Sequence, residues 1–170
     1  MSNKVIRLTA LSVEKIEKAN KSLLEYAVWV ERKAAELAEK LAERGANVAR
    51  LKFTGAMYDG TNDVKVSVDP KGNTAVIYAK GKAVAFIEFG SGALMGYGHP
   101  NPIAGERKVG PGTWSTDPDV GKGHWDDPDG WYYKHGKKSH GNPPAMAMYD
   151  AVQVMTAEIT EIAKEVFGSE

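Results

Sequence analysis

"SVEKIEKANKSLLEYAVWVERKAAELAEKLAER", running from Ser12 to Arg44, sets the frame for everything after it. Apolar side chains fall at Val13, Ile16, Ala19, Leu23, Ala27, Val30, Ala34, Leu37 and Leu41. The steps are all three or four, which is the period of one helix face. Ser12 can cap the start, and Glu14 sits in the first turn, where a negative charge is favoured. Gly45 reads as the left-handed residue just past the C-terminus. At about 1.5 Å per residue the helix is on the order of 50 Å long. A domain of this size does not readily cover such a length. The stripe is therefore expected either to pack in part on another subunit or to bend around its own core.

The next block reads as strands. "NVARLKF" alternates weakly between apolar and polar residues. "DVKVSVD" alternates cleanly, with Val64, Val66 and Val68 on one face and Lys65 and Ser67 on the other. "PKGN" has turn chemistry, and "TAVIYAK" follows as the partner strand. The two runs predict an antiparallel hairpin with one wet face. "AVAFIEFG" is an apolar run that fits a buried strand or a short helix. A closing helix is expected from about Pro144 to Phe167, with Met148, Val152, Met155, Ile159, Ile162 and Val166 as its stripe. The expected fold is α+β: a long N-terminal helix, an antiparallel sheet of about three to four strands, a long loop and a C-terminal helix. One domain spanning residues 1–170 is expected, with a loop insertion at 90–143.

Composition bounds the function. Lysine plus arginine equal aspartate plus glutamate at 22 each. A dedicated nucleic-acid binder usually carries a basic excess, so this balance argues against one. It also leaves self-association unopposed by net charge. The chain has no cysteine, which excludes disulfides, thiolate metal sites and a cysteine nucleophile. No secretory h-region and no apolar run of membrane-spanning length are visible. A soluble protein of the cytosol is the expectation.

From Gly90 to Pro144 the texture changes. The segment holds 12 of the 18 glycines, 7 of the 8 prolines, three of the four tryptophans and all four histidines. No helix or strand period survives in it, and a loop this long is usually functional or disordered. Disordered segments are poor in aromatics, so Trp114, Trp125, Trp131, Tyr132 and Tyr133 point to an extension that orders against something.

The chemistry of that segment fails each spacing test. His135 and His140 are five apart, not the four that a helical zinc pair needs. A calcium loop counted from Asp117 or Asp127 places Pro128 or Lys138 where a glutamate is required. Ser91 lies between glycines, but Phe89 and Ala93 occupy the positions a nucleophile elbow reserves for glycine. "GSGALMGYG" lacks the ending of a phosphate loop. No cofactor, metal site or catalytic residue is expected. "HWDDPDGWYY" has the residue types of a glycan site, so binding or hydrolysis of cell-wall glycan is the alternative function. "KHGKK" beside aromatics allows at most incidental contact with DNA. Aromatics without an enzyme signature fit a protein interface best.

"VAFIEFGSG" at Val84–Gly92 and "GNPPAMAMYDA" at Gly141–Ala151 resemble one known family. They are similar to the tail-completion, or head–tail connector, proteins of long-tailed bacteriophages and prophages. Members run from a long helix through a sheet to an aliphatic–Glu–Phe–Gly–Thr/Ser segment. They then cross a variable loop to a helix opened by a proline motif. The matching residues are Ile87, Glu88, Phe89, Gly90 and Ser91, then Pro144, Met146, Met148, Tyr149 and Ala151. Ala147 stands where many members have proline, and the loop here is long and aromatic.

The resemblance implies a non-enzymatic virion protein of the neck, assembled in the bacterial cytoplasm. It implies a homo-oligomeric ring between the capsid connector and the tail tube, with those proteins as partners and no membrane. A ring needs a closing heterologous interface. Glu88, Phe89, Trp114, Trp125, Trp131, Tyr132 and Tyr133 are its candidate assembly residues. Glu88 is expected to act within its own chain, as the outward residue of an edge strand or in an internal pair. A cation on a neighbouring subunit is the other expected partner.

Overall fold

The computed structural model describes residues 12–57, 62–91, 94–100, 131–132, 138–139 and 141–168, the two short pairs as backbone. Helix α1 spans Val13–Thr54. Strands β1 (Lys65–Lys71) and β2 (Thr74–Lys80) form a hairpin. The short helix α2 is Val84–Phe89. Trp131–Tyr132 (β3) and Lys138–Ser139 (β4) make a small antiparallel ribbon. Helix α3, Ala147–Gly168, closes the described fold.

The α+β class holds, and one strand differs from expectation. "NVARLKF" is not a strand: α1 continues through it to Thr54, so the helix has 42 residues and is about 63 Å long at ~1.5 Å per residue. Its apolar positions Ala49 and Phe53 keep the helical step from Ala42 and Ala46 and bury that face. A weak alternation over seven residues lost to a helix already nucleated upstream. "AVAFIEFG" is also helical. Among the described residues the hairpin is then a two-stranded sheet, and the ribbon β3–β4 is separate from it.

Gly45 is not a helix terminator. It lies inside α1, and a Cβ there would stand 2.6 Å from Met155 Sδ and 3.0 Å from Ile77 Cδ1. The missing side chain lets α1 approach both α3 and the hairpin. The end of α1 is closed further on, where the Asn62 amide donates to the carbonyls of Phe53 and Ala56.

Helix α3 runs antiparallel to α1. Lys52 pairs with Asp150, Arg44 grips Glu158 through two 2.7 Å bonds, and Lys40 reaches Glu165 at 2.7 Å. Trp29 meets Phe167 edge-on at 5.8 Å, where α3 ends. The buried face of α3 is Ala147, Ala151 and Val166. Val152 and Ile159, expected in its stripe, are exposed. The core is small and rich in alanine: Ala49, Phe53, Ala83, Ile87, Ala147 and Ala151. Val64, just before β1, and Val66 and Ala79 of the hairpin pack against it, and the register pairs Val66 with Ala79 and Val68 with Ile77.

Asp63 joins the hairpin to α2. Its carboxylate accepts from the N–H groups of Lys82 (2.7 Å) and Ala83 (3.1 Å). The Lys82 N–H first, and then that of Ala83, hold this carboxyl below the ordinary aspartate value. The folded pKa is thus lower than the unfolded one. The stabilisation is complete above the unfolded value and is lost as pH falls through the folded value.

Two outcomes are expected. Gly45→Leu overpacks the α1–α3 contact and lowers stability by about 1–3 kcal/mol in urea denaturation. Asp63→Asn lowers the urea midpoint at neutral pH and flattens its fall below about pH 4, measured across an acid series.

Candidate assembly interface

The residues carrying the family resemblance come together at one place. Helix α2 ends at Phe89 and Gly90 turns the chain with φ 80° and ψ −175°. A Cβ on Gly90 would lie 2.6 Å from the Asn142 carbonyl oxygen and 2.9 Å from the Pro144 nitrogen, so only glycine fits. Just beyond, Ser91 and Asn142 bond reciprocally. The Ser91 N–H donates to the Asn142 carbonyl at 2.8 Å, and the Asn142 N–H donates to Ser91 Oγ at 3.1 Å. The N–H groups of Ala145 and Met146 donate to the carbonyls of Ile87 (2.8 Å) and Glu88 (3.2 Å). Met146 adopts φ 53°, a left-handed conformation that is strained for a side chain of its kind.

Glu88 is the centre of this unit. It is 5% exposed. Its Oε2 accepts from the Met148 N–H at 2.8 Å and its Oε1 from the Tyr149 N–H at 3.0 Å. These are two of the N–H groups that the first turn of a helix leaves without an internal partner. A carboxylate there also opposes the positive end of the α3 dipole. His99 Nε2 lies 3.6 Å from Glu88 Oε1, and the His99 ring packs between Phe89 (4.8 Å) and Tyr149 (5.7 Å). The edge-strand expectation for Glu88 is corrected: it stands on a helix, faces inward, and binds backbone amides. The period of "AVAFIEFG" was too short to separate strand from helix, and that choice decides which way residue 88 points.

The start of the long loop is also built. The Gly96 N–H donates to the Phe89 carbonyl at 2.6 Å and the His99 N–H to Gly96 at 3.0 Å. The loop therefore leaves by Pro100 and returns by Gly141, next to the bonded Ser91–Asn142 pair. Of the candidate assembly residues, Glu88 is buried and Phe89 half-buried at this root. Trp131 and Tyr132 form β3, in which Trp131 pairs with Ser139 and Tyr132 with Lys138. Trp114, Trp125 and Tyr133 lie outside the described residues. So do His124, His135 and His140.

A second surface was only half legible in the sequence. From Val13 to Val28 almost every side chain of α1 is exposed, whereas α3 and the hairpin pack only against the later part. The excess length of the helix was the signal; where the cover stops depended on the length and direction of α3. No described helix is long and apolar enough to cross a membrane. Among the described residues no three histidine, aspartate or glutamate side chains gather as metal ligands would.

Glu88→Gln retains the shape but loses the charge and one acceptor. It is expected to lower stability by roughly 1.5–3 kcal/mol, with Glu88→Ala lower still, as read from urea midpoints.

No family model matches this chain, and no curated protein or solved structure matches it either.

Proposed function

We propose that the protein is a non-enzymatic virion component, a tail-completion or head–tail joining protein. In this reading it assembles as a homo-oligomeric ring between the capsid connector and the tail tube of a long-tailed phage. The reading rests on the resemblance of two stretches, Ile87–Ser91 and Pro144–Ala151. One observation supports treating them as a unit. Although 60 residues separate Glu88 from Met148, the two stretches are bonded through the Glu88 carboxylate, the Ile87 and Glu88 carbonyls and the Ser91–Asn142 pair. A motif whose two halves depend on each other in space is a better basis for a resemblance than two short matches.

In this reading residues 88–91 and 141–149 hold the loop root, and the loop between them supplies the contacts. Its aromatic side chains, Trp125 and Trp131 above all, are the proposed contacts with the connector or tail tube. Aromatic residues suit that task because they bury large areas at low entropic cost.

Native mass spectrometry of the chain mixed with connector or tail tube protein is expected to show a closed ring or a joined complex. A chain that joins neither contradicts the proposal. Trp125→Ala combined with Trp131→Ala is expected to reduce tail joining at least tenfold in a phage complementation assay while leaving the urea midpoint unchanged. Loss of peptidoglycan binding in that variant, with joining intact, would favour the glycan reading.

A further inference from the structure

The first third of α1 carries an apolar seam that nothing in the described structure covers. Val13 is 74% exposed, Ile16 49%, Leu23 56% and Leu24 62%. Asn20 and Ala27 are exposed as well, and Val30, where cover begins, is half-buried. Val13, Ile16, Asn20, Leu23, Ala27 and Val30 are spaced three, four, three, four and three apart. That alternation is the 3.5-residue repeat of a seam that receives another helix.

The occupant follows from four observations. First, the seam is continuous with an interface already formed. Farther along, α1 is paired with the antiparallel α3, from Lys52–Asp150 through Arg44–Glu158 and Lys40–Glu165 to Trp29–Phe167, and α3 then ends. The bare part therefore needs a helix that continues the line of α3 in the same direction.

Second, the length matches. A second copy of α1, antiparallel and with the two-fold axis between the Asn20 and Leu23 layers, places its Val13 opposite Val30. It covers the seam up to the place where α3 takes over. Third, the charge is balanced. Between Val13 and Arg32 four glutamates face three lysines and one arginine. A second copy meets no net repulsion, and an anionic membrane or nucleic acid finds no basic excess.

Fourth, the area suffices. Side chains of these sizes and exposures, Leu24 flanking the seam included, present on the order of 600 Å² per copy, so a pair that covers them fully buries up to about 1,200 Å², the lower end for a specific interface. We infer that this face binds a second copy of the chain as an antiparallel two-helix pair. The pairing is isologous and does not depend on the proposed role in tails, since a ring needs a different, heterologous contact.

Sedimentation equilibrium on the full chain tests it. The expected result is a dimer, twice the 18.4 kDa chain mass, at tens of micromolar. Leu23→Glu with Leu24→Glu should weaken dimerisation at least a hundredfold and leave the far-ultraviolet dichroism unchanged. A wild-type chain monomeric at about 200 µM overturns the inference, as does a dimer that these two changes leave intact.

Because the chain has no cysteine, introduced ones report geometry. Ile16→Cys and Ala27→Cys proteins, mixed and oxidised, should cross-link with each other and not with themselves. Self-cross-linking of each points to a parallel pair and overturns the antiparallel assignment. Failure of the ring proposal leaves these results untouched.

Discussion

One carboxylate closes this fold. Glu88 accepts from two backbone amides at the start of α3 and is buried while doing so. Without it, the first turn of α3 would leave those N–H groups unpartnered in a place water cannot freely reach, which costs more than the bond itself contributes. The same contact brings together chain segments on either side of the long loop. Closing a loop of that length costs conformational entropy, and a charge-assisted bond to two donors is a strong way to offset it. Gly90, the Ser91–Asn142 pair and the left-handed Met146 are arranged around this contact.

Helix α1 is the frame on which the closed unit rests. Its later two thirds carry both the hairpin and α3, which approach the same face of the helix at Gly45. Alanines at 42, 46 and 49 and the glycine at 45 let all three elements approach closely. Ion pairs along α1 and α3 are half-exposed and add little energy individually, but their order defines an antiparallel register. The remaining third of α1 has the same amphipathic pattern and no cover. A helix whose seam outlasts its partner is a natural place for another chain.

How much of this was legible follows element by element. The long helix, the hairpin and the closing helix were readable because each repeats its period several times. Val64, Val66 and Val68 alternate over enough residues to define a strand, and the Val68–Ile77 pair shows the register that results. The errors lie where the signal was short or local. Gly45 carried the chemistry of a helix stop, yet the reason for glycine was the approach of Met155, a contact 110 residues away that no local rule contains. "NVARLKF" is too short for periodicity to outweigh what the neighbouring chain imposes, and "AVAFIEFG", which fitted a strand or a short helix, is too short for its period to choose between them.

Glu88 shows the same limit at the site. Its place in a motif was visible, and so was an internal role. Its partners were not, because they are backbone amides and leave no mark on side-chain identity. The exposed end of α1 was foreshadowed by length alone. Locating it required knowing that α3 ends opposite Trp29.

Amide hydrogen exchange, followed residue by residue at low and high protein concentration, tests the account most directly. Met148 and Tyr149 are predicted to exchange only through global unfolding and at the same rate at both concentrations, because Glu88 closes the fold within one chain. Amides from Ile16 to Ala27 are predicted to slow as concentration rises. Rapid exchange at Met148 and Tyr149, or protection there that appears only at high concentration, would contradict the account.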